Sequence, residues 1–68
     1  MMFFRHIKTG HIYRLLAHAT YETSARAVEG VVVYCPLDIE HAVYVREERD
    51  FEMTFEMVTS KDNARLNL

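Results

Sequence analysis

Cysteine and proline each occur once in the 68 residues, and glycine only twice. The lone Cys35 rules out an internal disulfide and any paired-cysteine zinc motif, which fits a reducing, cytosolic setting. No apolar run approaches the length of a membrane span. The opening MMFFRHIK has an apolar tip but no leading positive segment, long apolar region or small-residue cleavage site, so it is not expected to act as a signal peptide. No HxH, HExxH or Cys-His spacing links His6, His11, His18 and His41, and no metal site is expected. Nucleophile elbow, P-loop and DxD patterns are missing too. Cys35, set within the most apolar stretch, reads as inert packing. No catalytic residue and no cofactor is therefore expected.

Positive charge is also scarce, with two lysines and six arginines against ten acids. Phosphate contacts supply most non-specific affinity for nucleic acids, so the acidic balance argues against such a partner. What charge there is lies unevenly. Residues 1–34 carry Arg5, Lys8, Arg14 and Arg26 against Glu22 and Glu29, a balance of +2, whereas residues 35–68 balance at −4. Such a split either steers a charged partner or pairs with itself across a sheet. Hydrophobic residues make up 50% of the chain and charged ones 26%, ordinary for one globular domain and wrong for a disordered one. A protein this short buries only about 60% of the surface its unfolded form exposes, so a thin stability margin is expected.

Strand signals dominate what is present. FFRHI (3–7) is a short aromatic run stopped by KTGH, where Gly10 can take a positive φ. IYRLLAHATYET (12–23) alternates, with Tyr13, Leu15, Ala17, Ala19 and Tyr21 on one face. A helix can be drawn through Leu15–Ala19, but β-branched and aromatic flanks favour a strand. SARAVEG (24–30) reads as a loop and VVVYCPL (31–37) as a central strand that Pro36 either ends or places at an edge. AVYVR (42–46) returns as its hairpin partner, which makes Tyr34 and Tyr44 candidate cross-strand neighbours. EERD (47–50) reads as a tight turn or single 3₁₀ turn. FEMTFEMV (51–58) alternates Phe51, Met53, Phe55 and Met57 against Glu52, Thr54 and Glu56, the pattern of a core-facing strand. The expectation is an all-β fold, a small five-stranded SH3-like barrel over residues 1–58, with a polar C-terminal tail over 59–68.

Three segments in order, RHIKTGHIYRLLAHA, VVVY and YVREERDF, resemble a family of short bacterial and phage domains of unknown function. That family reads approximately RHxKGxxYxVLGxA, then VVY, then WVRPxxxF. Arg5, His6, Lys8, Gly10 and Tyr13 fit the first block with Thr9 as one extra residue, Val32, Val33 and Tyr34 fit the second, and Val45, Arg46 and Phe51 fit the third. Glu47 stands where the family has proline and Tyr44 where it has tryptophan. The resemblance implies a compact β-domain with Arg5, His6, Lys8 and Arg46 as recurring polar positions. It implies no activity.

Two functions follow as expectations. The first is a non-enzymatic cytoplasmic binding module of a bacterium or phage, engaging a protein partner through its charged surface, with self-association through an apolar edge a further option. The alternative is a seat for a small anionic ligand such as a nucleotide. There Arg5, His6, Lys8 and Arg46 hold phosphate while Tyr34 or Tyr44 stacks on the base.

Overall fold

A computed structural model describes residues 2–39 and 41–59. They form five strands, β1 (Phe3–His6), β2 (Ile12–Glu22), β3 (Ala27–Pro36), β4 (Tyr44–Glu47) and β5 (Phe55–Met57), with a helix α1 (Glu48–Thr54) before the last. Every pairing is antiparallel and the spatial order is β4-β3-β2-β1-β5. The first four strands are a meander, and β5 returns to the free edge of β1. Among the described residues nothing pairs β4 to β5, so the sheet is open there rather than the closed barrel expected. α1 carries the backbone from one open edge to the other.

The turns explain the meander. Gly10 sits at φ 78°, and its N–H donates to the His6 carbonyl while the His6 N–H donates to the His11 carbonyl, reversing the backbone between β1 and β2. At the next corner the Thr23 hydroxyl oxygen accepts from the N–H groups of Ala25 and Arg26, and the Thr23 N–H donates to the Arg26 carbonyl at 2.7 Å. The loop is thus confined to a few residues, and β3 starts at Ala27, earlier than the SARAVEG composition suggests.

Two irregularities interrupt the β2–β3 ladder. Leu15 opposes Tyr34 and Ala17 opposes Val33, so Leu16 is an extra residue that reverses the alternation. His18, opposite Val32, therefore shares the face of Leu15, and the single face expected for Tyr13 through Tyr21 is broken. The second irregularity inserts a residue into β3, where Gly30 holds φ 69°. A side chain there would be strained by that φ, and its Cβ would stand 3.2 Å from a Glu48 carboxylate oxygen.

The core lies on the face covered by α1. Val32, Tyr34, Phe51 and Phe55 are buried, with Phe4, Tyr13 and Leu15 packed against them. Here the period-two reading of FEMTFEMV fails. Phe51 and Phe55 are 4% and 5% exposed, but Met53 and Met57 are 77% and 54% exposed. Positions 51 and 55 are two apart twice over, but they are also one helical turn apart, and the helix is what forms. Its geometry stacks the Phe51 ring on that of Phe55 at 4.4 Å and sets it edge-on to Phe4 at 5.0 Å, contacts that β2 and β3 reinforce with Tyr13 and Tyr34. EERD is accordingly the entry to α1 and its first turn, not a separate turn, and Glu48 and Asp50 there suit the positive end of the helix. β5 keeps only three residues, tied down by hydrogen bonds from Ile7 N–H to the Thr54 carbonyl and from Val58 N–H to the Phe3 carbonyl. The polar tail expected over 59–68 lies, apart from Thr59, outside the described residues.

Candidate functional site

The α1-covered face is not sealed at its β4 end. A solvent-open concavity of about 240 Å³ lies there, lined by His6, Thr9, Tyr13, Tyr34, Tyr44, Arg46 and Phe55. Its floor follows from the ladder. Tyr34 and Tyr44 face each other across β3 and β4, their rings 5.8 Å apart, as the sequence led us to expect. Tyr13 stands edge-on to Tyr34 at 5.6 Å and to Phe55 at 5.2 Å, and His6 stands edge-on to Phe55 at 5.2 Å.

Arg46 is held on every side. It opposes Val32 on the inner face, where its Nε donates to the Tyr34 hydroxyl at 2.8 Å. Its Nη1 donates to Asp50 Oδ2 at 3.0 Å and to Thr54 Oγ1 at 3.3 Å. Thr54 is itself anchored through its hydroxyl to the Asp50 carbonyl. The guanidinium carbon lies 5.5 Å from the centre of the Phe55 ring, a cation–π arrangement. The hydrogen bond with Tyr34, ahead of that with Asp50, holds the guanidinium still more firmly protonated than an ordinary arginine, against an opposing effect of burial. Tyr13 is shifted as well. Burial first, then the neighbouring Tyr34, Tyr44 and Asp38, raise its pKa above the usual phenol value, and Arg46 works in the opposite direction. At neutral pH its hydroxyl keeps its proton.

The residues singled out in the sequence divide into two groups. His6, Tyr34, Tyr44 and Arg46 converge on the concavity. Arg5 does not. Strand alternation sends it to the opposite face of β1, where it pairs with its register neighbour Glu56 at 2.8 Å. Lys8 is exposed in the turn and borders a different depression with His6, Ile7, Met53 and Thr54. The four basic-cluster residues therefore do not share one phosphate-sized seat. Thr9 and Phe55 belong to the site although nothing in the sequence pointed to them there, and Tyr13, one of the tyrosines available for stacking, joins them, while Asp50 and Thr54 brace the site from behind. The Arg46, Asp50 and Thr54 spacing of four and four was the available signal, once the segment is recognised as helical.

Larger depressions exist but offer less. One of about 540 Å³ is lined by Gly30, Glu47, Glu48, Arg49 and Glu52, solvated side chains with no aromatic floor. Another, about 350 Å³, is the apolar seam between α1 and the sheet, bordered by Met2, Phe4, Leu15 and His18 among others. Cys35 opposes Arg14 on the outer face, away from the concavity. Among the described residues no three His, Cys, Asp or Glu side chains form a metal-ligating group, and no helix is long and apolar enough to cross a membrane. No family model, curated protein or solved structure matches the sequence.

Proposed function

We propose that the protein is a non-enzymatic binding module, working inside a bacterial cell as a bacterial or phage protein, that engages a protein partner through the tyrosine concavity. The observation that carries this reading is the exposed Tyr44 and part-buried Tyr13, floored by the buried Tyr34, beside a braced Arg46. Tyrosine and arginine are the residue types that anchor protein contacts, and Arg46 is held by its hydrogen bonds before a partner arrives, which lowers the entropy lost on binding. The exposed acids Glu47, Glu48 and Glu52, which border the depression beside Gly30 and not the concavity, give the protein a negative flank that favours a partner with a basic patch outside the seat itself. In its finer architecture we read the open five-stranded sheet as an SH3-like barrel left unclosed between β4 and β5, with α1 spanning the gap.

A nucleotide seat is the weaker reading, because Arg5 and Lys8 stand apart from Arg46 and the concavity is small. Selection of displayed random peptides against the immobilised protein, with Tyr44→Ala as counter-target, tests the leading one. Enriched peptides are expected to lose about tenfold or more in affinity on Tyr44→Ala, an anchor-sized effect. Failure to enrich any peptide, or equal binding to both proteins, overturns it.

Self-association has its own supporting observation. Val43 and Val45 are exposed on and beside β4, an edge with no further strand partner among the described residues. Sedimentation equilibrium should then show a dimer that Val45→Lys dissociates; a monomer at high concentration removes this option.

A further inference from the structure

The concavity holds hydrogen-bond donors that no described residue uses. Arg46 spends Nε on Tyr34 and Nη1 on Asp50 and Thr54, and its Nη2 makes no hydrogen bond among the described residues. The Tyr13 and Tyr44 hydroxyls make none there either, and burial keeps the Tyr13 proton in place. The Nδ1 of His6 accepts from the Thr9 N–H at 3.3 Å, which leaves Nε2 as the ring nitrogen not engaged among the described residues. The Thr9 hydroxyl oxygen accepts from the His11 N–H, leaving its own O–H to donate. Among the described residues no Asp or Glu side chain lines the concavity, although Asp38 lies close enough to act on Tyr13. A second cation is disfavoured, because the Arg46 guanidinium already lies over the Phe55 ring. A volume of about 240 Å³ falls below the roughly 300–1,000 Å³ of pockets that swallow whole cofactors or drug-sized ligands.

We infer that the concavity is a carboxylate seat. Arg46 Nη2 and the hydroxyls of Tyr44 and Tyr13 receive the carboxylate of a protein partner, through charge-assisted hydrogen bonds, while the aromatic rings cover its short stem. The carboxylate comes from an acidic side group or from the free C-terminus of a polypeptide, the two sources presenting the same chemistry. This inference rests on the concavity being the contact point, as proposed above. Asp50 neutralises part of the Arg46 charge, so an isolated carboxylate binds weakly and the rest of a peptide supplies the remaining affinity.

The test is an NMR titration of the full-length protein with benzoate, with neutral benzamide and with cationic benzylammonium. Benzoate is expected to shift the amides of His6, Thr9, Tyr34, Tyr44 and Arg46 saturably, several-fold more tightly than benzamide, with no such response to benzylammonium. Tyr44→Phe keeps the ring and removes the hydroxyl, and should weaken benzoate about three- to tenfold, the worth of one hydrogen bond. Arg46→Lys, checked for folding by its melting curve, keeps the charge and loses the fork, and should weaken benzoate at least as much. Peptides ending in a free acid against an amide, and peptides with an internal Glu against Gln, then separate the two sources: the pair that loses affinity names the source. Equal binding of benzoate and benzamide, preference for benzylammonium, or no response to benzoate overturns the carboxylate seat. If peptides selected on the protein still lose affinity on Tyr44→Ala, only the ligand class has failed. If those are lost too, the concavity is not the contact point.

Discussion

On the side of the sheet beneath α1, Tyr34, Phe51 and Phe55 are 4–5% exposed and their rings touch, while on the outer side Val45 is 60% exposed and Arg5 meets Glu56 in the open. Each side carries an arginine from a strand. Arg46, on the inner side, is fixed by a tyrosine, an aspartate and a threonine, whereas Arg5 meets a cross-strand carboxylate that is half exposed to water. The same residue type thus becomes part of a preorganised pocket on one side and a solvated fastening on the other. Position relative to the helix decides which.

Breaking the inner side should cost most. Phe51→Ala removes a ring that touches Phe4, Tyr34 and Phe55, and is expected to cost about 3–5 kcal/mol, enough to unfold a small domain at ambient temperature. Circular dichroism and thermal melting read this directly; a cooperative melt within a few degrees of the parent contradicts the assignment of the core. The two arginines sharpen the contrast. Arg46→Ala leaves the Tyr34 hydroxyl and Asp50 without their donor and should cost about 1.5–3 kcal/mol in denaturant titrations. Arg5→Ala should cost no more than about 1 kcal/mol, and less in high salt. Equal costs erase the distinction between the two sides.

The smallest effect is a pH dependence confined to the inner side. Tyr13 has a raised pKa in the folded protein, so the folded state holds that proton more tightly than the unfolded one. Its contribution to stability is fully present below the ordinary tyrosine value of 10.0 and is lost as pH climbs through the folded value. Melting temperature should therefore fall above about pH 10, and Tyr13→Phe should flatten that fall relative to the parent. An unchanged slope in the variant shows that Tyr13 is not the group responsible.

Much of the fold was legible in the residues. The β-branched run at 31–33, the glycine turn after His6 and the facing Tyr34 and Tyr44 all follow from local patterns, because hairpins draw on neighbours in sequence. The helix was not legible for a definite reason: Phe51 and Phe55 satisfy both a strand read in twos and a helix read in fours, and only packing against the sheet decides between them. The site suffered from the same ambiguity. A basic cluster at residues 5–8 looks contiguous in sequence, but strand alternation puts Arg5 and His6 on opposite faces, and the residues that restrain Arg46 come from the helix that the alternation concealed.

α1 bears on which loop lengths this architecture tolerates. One residue added between Arg46 and Phe55 rotates everything beyond it by about 100° around the helix axis. That would swing Phe55 out of the ring stack and part Asp50 or Thr54 from the guanidinium they hold. Insertions and deletions should therefore be tolerated around residues 23–26 and in the connection between β3 and β4, and rejected along the path from Arg46 to Phe55. That path works as a fixed-length spacer, so the dimensions of the pocket are written in residue count as much as in residue identity.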